Sequence, residues 1–187
     1  FASILGPSGS GKTTLLAIMA GLDLPSSGSV KLLDKEITSL NEDKRAQIRS
    51  KDVGFVFQSF HLLPRLSALD NVMMPLEILG AKDAKERSLK ALDEVGLSKR
   101  TGHVPHQLSG GEKQRVAIAR AMVKAPSILF ADEPTGNLDQ SSTDNILELL
   151  LGINKQTKTT LVVVTHDQQL ASRSDMVFEL QEGKLKC

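Results

Sequence analysis

Apolar runs alternate with polar, helix-forming segments along most of the chain, and this pattern predicts the secondary structure. Strands are expected at residues 1–5, 29–33, 53–57, 128–131, 161–164 and 176–179. Helices are expected at residues 14–19, 43–50, 113–124 and 143–154. The alternation of strands and helices predicts an α/β fold with a mainly parallel sheet.

Residues 59–108 follow a different pattern, because strand signals vanish and apolar residues recur at helical spacing. The two series are Leu69-Val72-Met73-Leu76 and Leu89-Leu92-Val95. We therefore expect one domain spanning residues 1–187. Its α/β core is expected at residues 1–58 and 126–187, with an inserted helical subdomain at residues 59–125.

Phosphate chemistry is indicated by the segment between the first strand and the first helix, Gly6-Pro7-Ser8-Gly9-Ser10-Gly11-Lys12-Thr13. It fits the pattern G-x-x-x-x-G-K-[ST], in which glycines let backbone N–H groups face phosphate oxygens at a helix N-terminus. We expect Lys12 to neutralise the β- and γ-phosphates of a nucleoside triphosphate and Thr13 to ligate Mg²⁺. Thr14, the next helical residue, completes the expected binding set. The alternative is a Gly/Ser turn that precedes a helix by chance.

Two acidic residues, Asp132 and Glu133, end the apolar run of residues 128–131. Ligands of open parallel sheets bind outside the carboxyl ends of the strands, so both carboxylates are expected beside the phosphates. Asp132 suits the metal, and Glu133 suits the activation of an attacking water. The structural alternative is a helix or loop cap with a solvated neighbour.

A histidine, His166, follows the apolar run of residues 161–165 in the same way. Its imidazole is therefore expected at the same sheet edge, within reach of a terminal phosphate. A capping or satisfied loop histidine is the alternative. The other histidines, His61, His103 and His106, have no spacing that indicates a metal site, and we expect them on the surface or in the lobe.

A second anion site is indicated by Ser109-Gly110-Gly111. Ser109 and Glu112 have the spacing of a capping box, and glycines in the first turn of the helix leave backbone N–H groups and a hydroxyl exposed. Because the helical lobe lies between Ser109 and the phosphate loop, we expect Ser109 to meet the nucleotide of another copy in a head-to-tail pair. The alternative is a capped helix with glycines for close packing.

Composition narrows the class of protein without naming a partner. The 187 residues contain 23 Lys and Arg against 22 Asp and Glu, so no overall basic field indicates a nucleic-acid partner. No apolar run approaches the roughly 18 residues that span a bilayer, so any membrane role is expected to come through a partner. The single cysteine, Cys187, cannot form an internal disulfide and favours a reducing, cytosolic setting.

Together these motifs resemble those of the ATP-binding-cassette ATPases over nearly the whole chain. The resemblance is carried by the Walker A loop at residues 6–13, the Q-loop glutamine Gln58, the signature at residues 108–112, the Walker B strand at residues 128–132, the catalytic glutamate Glu133, the D-loop residues Leu138 and Asp139, and the switch histidine His166. Residues 53–60, 66–72 and 131–139 are similar to the lipoprotein-releasing and macrolide-export branch.

The resemblance implies a RecA-like core of the P-loop NTPase type, with ATP held between two head-to-tail subunits. It implies that hydrolysis drives a membrane-embedded permease, for export or lipoprotein release, from the cytoplasmic face of the cell membrane. It also implies the roles of individual residues. Lys12, Gln58, Glu133 and His166 would be catalytic, Gln58 would join Thr13 and Asp132 at Mg²⁺, and Ser109, Gly110, Gly111 and Asp139 would meet nucleotide.

The front of the sequence departs from the family pattern. Members usually stack adenine on an aromatic ring ahead of the Walker A loop, but only five residues precede Gly6 and the chain has no Trp or Tyr. We therefore expect that the N-terminal antiparallel strands of the family, with the adenine contact, are missing from this sequence.

Other functions share parts of this pattern. A soluble cassette ATPase for DNA maintenance would need long heptad arms or zinc-binding cysteines within the domain. A P-loop small-molecule kinase would lack the Ser-Gly-Gly box and the Asp-Glu pair. A module that uses ATP only to dimerise would not require Glu133. The main hypothesis is an ATPase that energises a membrane transporter, and its coupling to a permease is what the resemblance implies.

Overall fold

The computed structural model describes residues 1–186, and Cys187, for which the sequence excludes an internal disulfide, lies outside the described residues. The strands are β1 (Ala2–Leu5), β2 (Lys31–Leu32), β3 (Lys35–Glu36), β4 (Val53–Val56), β5 (Ile128–Asp132), β6 (Thr160–Thr165), β7 (Met176–Gln181) and β8 (Lys184–Lys186). The helices are α1 (Lys12–Met19), α2 (Glu42–Asp52), α3 (Ala68–Ile78), α4 (Ala84–Glu94), α5 (Gly110–Met122), α6 (Gln140–Thr157) and α7 (Gln168–Ala171). Within residues 1–186, no helix combines the length and the apolar character needed to cross a bilayer.

The main sheet contains six strands in the order β4-β5-β6-β1-β7-β8. All neighbouring pairs are parallel except β7 and β8, which form an antiparallel hairpin. In this register Leu5 pairs with Thr165, and Asp132 pairs with Val164. The segments that follow β1, β5 and β6 therefore leave the sheet at one edge, as expected for strands that end together.

Apolar residues cover both faces of this sheet. On one face, Leu16 of α1 and Ala20, the residue that follows this helix, pack with Phe130 and Val162 of the sheet. On the other face, buried residues of α5 and α6 pack with the sheet through Ile118, Ala121, Ile146, Leu150, Leu129 and Val163. The central strands are thus buried on both sides, which explains why they read as continuous apolar runs rather than alternating ones.

A third hydrophobic cluster is formed by helices and lies in the part of the chain where the sequence predicts the helical lobe. Val72 and Leu76 of α3, Leu92 of α4, and Val116 and Ala119 of α5 are buried in it. Helix α5 contributes to this cluster and to the sheet cluster through different residues. The helix that carries the Ser-Gly-Gly segment is therefore fixed against both parts of the molecule.

Several element boundaries differ from the sequence expectation. The strand expected at residues 29–33 is reduced to β2, which pairs with β3 in a separate antiparallel hairpin instead of joining the main sheet. The chain reverses there because Leu33 and Asp34 adopt left-handed φ values of 50° and 61°. Helix α6 begins at Gln140 rather than at residue 143, because the carboxylate of Asp139 caps it.

Helices α1 and α5 also begin earlier than the apolar pattern predicts, at Lys12 and Gly110. Helix α7 and strand β8 have no counterpart in the prediction. Both are too short, at four and three residues, to produce an apolar period that a sequence pattern could reveal.

Candidate functional site

A pocket of about 390 Å³ opens at the sheet edge where β1, β5 and β6 end. Its lining contains most of the residues that the sequence singles out for chemistry. These are Ser8, Gly9, Gly11, Lys12, Thr13, Thr14, Gln58, Glu133 and His166. Residues that are far apart in the chain therefore meet at one place, as the strand-end argument predicts.

The floor of the pocket is the glycine-rich loop between β1 and α1. Gly9 and Gly11 have φ values of 80° and 91°, a left-handed conformation that residues other than glycine rarely adopt. Gly11 is also the residue that precedes the first turn of α1. The loop therefore brings the free N–H groups of a helix N-terminus to the pocket, an arrangement that favours a phosphate anion.

Lys12 supplies a buried positive charge in this loop. The residue is only 6% exposed, and its Nζ donates hydrogen bonds to the carbonyl oxygens of Gly6 at 2.8 Å and Pro7 at 2.9 Å. The same Nζ lies 3.7 Å from Oε1 of Glu133. The ammonium group is thus held in place by the loop itself and faces the carboxylate across the pocket.

Thr13 and Asp132 connect the loop to the end of β5. The hydroxyl of Thr13 donates to Oδ1 of Asp132 at 3.2 Å. Burial raises the pKa of Asp132, the Thr13 hydroxyl opposes that effect, and the neighbouring Glu133 carboxylate adds to it. Two hard oxygen donors therefore lie side by side, Thr13 in the pocket lining and Asp132 buried next to it. A nearby cation would favour the ionised carboxylate.

Glu133 lies between Lys12 and His166. While Oε1 faces Lys12, Oε2 lies 2.8 Å from Nδ1 of His166, and its side chain is 12% exposed. The backbone of Glu133 has φ of 42°, which is rare for a residue with a side chain and costs on the order of 1 kcal/mol or more. Such strain is typical of residues whose side chain must be directed to a functional position.

Gln58 enters the pocket just beyond the end of β4 and is held by the loop that follows Glu133. The side chain of Asn137 donates to the carbonyl oxygen of Gln58 at 3.0 Å. At Gly136, an added Cβ would lie 3.1 Å from Nε2 of Gln58. The loop therefore packs directly against Gln58, and its glycine allows the close approach.

The four expected nucleotide-binding residues that lie outside the loop at residues 6–14 do not line this pocket, and neither do Gly6, Pro7 and Ser10 of that loop. Ser109 caps α5 by accepting a hydrogen bond from the N–H of Glu112 at 3.2 Å, and Glu112 accepts in return from the N–H of Ser109 at 2.8 Å. This backbone hydrogen bond is the main reason that the pKa of Glu112 is lowered. Gly110 and Gly111 form the first turn of the same helix.

Asp139 is the last of the four expected residues from outside the loop, and it caps α6. Its carboxylate accepts hydrogen bonds from the hydroxyl of Ser141 at 2.7 Å and from the N–H of Ser142 at 2.9 Å. These bonds lower its pKa to about 2, so the carboxylate is ionised at neutral pH. Both carboxylate oxygens are occupied within the chain, since Oδ2 accepts from the Ser142 hydroxyl.

One buried polar residue near the site was missed by the sequence argument. Gln114 of α5 is 0% exposed, and its Nε2 donates to the carbonyl oxygen of Pro134 at 2.7 Å. The available signal was a polar residue four positions before Ile118 on the buried face of a helix. Its direction toward the loop after Glu133 depends on tertiary packing, which no sequence period records.

The donor set at the pocket fits Mg²⁺, since the Thr13 hydroxyl and the Asp132 carboxylate are hard oxygen ligands and lie side by side. Among residues 1–186, no group of three or more His, Cys, Asp or Glu side chains could hold a metal ion alone. A site with few protein oxygens suits Mg²⁺, which usually keeps waters and binds substrate phosphates.

Comparison with known proteins agrees with this geometry. A family model described as ABC transporter matches residues 1–136. The chain is 52% identical to the lipoprotein-releasing system ATP-binding protein LolD of Legionella pneumophila (strain Paris) over 185 residues, covering 98% of this chain and 82% of that protein. It is 53% identical over 186 residues to the uncharacterized ABC transporter ATP-binding protein YbbA of Escherichia coli (strain K12), with 98% and 82% covered.

Solved structures with the same fold are cassette ATPases. A dimeric structure of a post-hydrolysis state of the ATP-binding cassette MJ0796 bound to ADP and Pi superposes with a TM-score of 0.90 and 40% identity, covering 100% of this chain and 84% of that chain. The predicted fold class is confirmed, and so is the predicted resemblance. The chain belongs to the ABC transporter family, as one of its ATP-hydrolysing subunits.

Proposed function

We propose that the 390 Å³ pocket binds the triphosphate of ATP and that Glu133 is the general base of hydrolysis. The observation that carries this proposal is the position of the Glu133 carboxylate, which faces Lys12 Nζ with one oxygen and His166 Nδ1 with the other. A carboxylate at this place can accept a proton from water beside the terminal phosphate that Lys12 holds. The loop N–H groups and residues 6–14 would hold the remaining phosphate oxygens.

The reaction we propose transfers the terminal phosphoryl group to water. An oxygen–phosphorus bond forms between water and the γ-phosphorus, and the bond from the γ-phosphorus to the β–γ bridging oxygen breaks. The proton of the attacking water passes to Glu133, and ADP and inorganic phosphate leave. Lys12 offsets charge on the β- and γ-phosphates, and His166 holds the Glu133 carboxylate and reaches the terminal phosphate.

For Mg²⁺ we propose ligands from three elements: Thr13 at the start of α1, Asp132 at the end of β5, and Gln58 after β4. Support comes from the contact of Thr13 with Asp132 and from the position of Gln58 in the same pocket lining. When bound, the ion would neutralise phosphate charge in the transition state.

We propose that Ser109, Gly110, Gly111 and Asp139 act at the nucleotide of a second subunit. Two observations support this proposal. None of the four residues lines the pocket of its own chain, and the first three lie at the N-terminus of α5. The MJ0796 cassette with ADP and Pi is described as dimeric. A head-to-tail pair of this chain would complete two sites, each with one triphosphate loop and one Ser-Gly-Gly turn.

We further propose that this ATPase drives a membrane-embedded permease subunit for export or lipoprotein release, from the cytoplasmic face of the cell membrane. The similarity to the lipoprotein-releasing protein LolD supports the branch. We also propose that residues 59–125 form the helical subdomain. The buried cluster that α3, α4 and α5 share supports this division.

The proposed chemistry is tested by the Glu133→Gln variant, which keeps the size of the side chain and removes its basicity. Steady-state phosphate release from MgATP should fall by about 10²-fold or more, whereas binding of a fluorescent ATP analogue should stay within about threefold of wild type. Lys12→Ala is the matched comparison, since it should weaken nucleotide binding as well. Undiminished phosphate release by Glu133→Gln would remove Glu133 from the mechanism.

A further inference from the structure

Gln114 is a fully buried amide that joins two functional segments. It lies in the second turn of α5, the helix that begins with Gly110 and Gly111, and its Nε2 donates to the Pro134 carbonyl oxygen at 2.7 Å. Its own Oε1 is buried without a hydrogen-bond partner among residues 1–186. A buried amide with one unpaired atom carries a desolvation cost, so the presence of Gln114 at this position needs an explanation.

The carbonyl that Gln114 binds belongs to the residue after Glu133. Because Glu133 is held at φ of 42°, its conformation depends on restraints from both sides. On the near side, the N–H of Glu133 donates to the carbonyl oxygen of Val164 at 3.0 Å. On the far side, the Gln114 amide fixes the carbonyl of Pro134, and Gly136 donates back to the carbonyl of Glu133 at 3.0 Å.

The start of α5 also lies close to the end of this loop and to the first turn of α6. An added Cβ at Gly110 would lie 3.3 Å from Leu138, and one at Gly111 would lie 3.0 Å from the Ser142 hydroxyl. These contacts are van der Waals packing. The Gln114 bond is the directional polar link between α5 and the segment that immediately follows Glu133.

We infer that Gln114 is a positioning residue for Glu133: its amide holds the Pro134 carbonyl and thereby keeps the strained Glu133 backbone in the orientation that directs the carboxylate into the pocket. The inference rests on the proposed role of Glu133 as base. It gives the buried Gln114 amide a function. It also connects the helix that begins with Gly110 and Gly111, which we propose meet the nucleotide of a second subunit, to the base Glu133 of the first. Gln114 itself does not line the pocket.

A purely structural role would also cost stability on substitution, so a matched control is needed. Thr159 supplies it, because its buried hydroxyl donates to the carbonyl oxygen of Pro126 at 3.0 Å. That contact lies at the amino ends of β5 and β6, at the edge of the sheet opposite the pocket. Thr159→Val and Gln114→Met therefore both remove a bond from a buried side chain to a prolyl carbonyl, at the two ends of the sheet. Thr159→Val also removes the bond that the Thr159 hydroxyl accepts from the Thr157 hydroxyl at 2.9 Å.

The experiment compares phosphate release, ATP dependence and thermal unfolding of these two variants with wild type, at a temperature well below unfolding. Gln114→Met should lower kcat by about tenfold or more, with the half-saturating ATP concentration within about threefold, because a misplaced base slows the chemical step and spares binding. Thr159→Val should lose a similar amount of thermal stability and keep kcat within about twofold. Equal kcat values for Gln114→Met and Thr159→Val would overturn the inference.

A second variant covers the case in which Gln114→Met does not fold. Gln114→Glu keeps the shape, and burial should raise the pKa of the introduced acid, which can donate to the Pro134 carbonyl only while protonated. The ratio of its kcat to that of wild type should therefore fall by about fivefold or more between about pH 6 and pH 9. A ratio that stays level across this range would contradict the inference.

The experiments distinguish a failure of the proposed function of Glu133 from a failure of the inference about Gln114. If Glu133→Gln keeps full turnover, the base assignment is wrong and the inference loses its basis. If Glu133→Gln abolishes turnover while Gln114→Met retains it, the base stands and Gln114 has no positioning role.

Discussion

His166 Nδ1 lies 2.8 Å from Oε2 of Glu133, although the two residues follow different strands, β6 and β5. The contact places the imidazole at the mouth of the pocket, with 64% of its side chain exposed, while the carboxylate is largely enclosed. An exposed imidazole that is attached to an enclosed carboxylate can contact a bound phosphate without losing its partner.

His166→Ala is therefore expected to lower phosphate release by about 10²-fold, because Glu133 loses the group that orients it and the terminal phosphate loses a donor. His106→Ala is the control, since His106 is exposed and outside the pocket. Comparable kcat values for the two variants would exclude His166 from the chemical step.

Thr13→Val should raise the Mg²⁺ concentration that gives half-maximal hydrolysis by about tenfold or more. The substitution keeps the shape of the side chain but removes the hydroxyl that lies 3.2 Å from Asp132 Oδ1. Thr13→Ser retains the hydroxyl and should stay within about threefold of wild type. A Mg²⁺ titration of phosphate release measures both variants, and identical Mg²⁺ requirements for Thr13→Val and wild type would contradict the ligand assignment.

The lowered pKa of Lys124 should be detectable in the pH dependence of the free energy of unfolding. Its Nζ donates to the carbonyl oxygens of Arg49 at 2.6 Å and Ser50 at 2.8 Å, and burial lowers its pKa from 10.5 to about 8. Between these two values the unfolded chain binds more protons than the folded one. The free energy of unfolding contributed by this group therefore rises with pH in that window.

Urea unfolding at about pH 7 and about pH 9.5 tests the sign, because the Lys124→Met variant lacks the titrating group. Wild type should gain stability relative to Lys124→Met as the pH rises. A constant difference between the two proteins would show that the lysine titrates alike in the folded and unfolded chains.

Much of the site could be predicted because its residues follow apolar strands directly. Asp132 and Glu133 follow one such run and His166 follows another, and the ends of parallel strands meet at one edge of the sheet. The glycine loop could be predicted because its spacing is tied to backbone geometry, with Gly9 and Gly11 in left-handed conformations.

Other features depend on tertiary contacts that have no period in the sequence. The Gln114 amide could not be placed, because the pattern shows that it lies on a buried face but not which carbonyl it meets. The earlier start of α6 depends on Asp139 serving as a cap, a role that competes with the family assignment at the nucleotide. The β2–β3 hairpin depends on left-handed Leu33, a conformation that leucine rarely adopts.

The central claim is that two subunits together complete each nucleotide site. Dimerisation of the purified protein on addition of ATP tests this claim most directly. Glu133→Gln should dimerise on addition of saturating ATP, as measured by light scattering, because nucleotide is retained between the subunits. Adding Ser109→Arg should abolish that dimer, since a bulky charged side chain would stand at the turn that we propose meets the second nucleotide. A dimer that forms equally well with Ser109→Arg, or a monomer in both proteins at full nucleotide occupancy, would contradict the account.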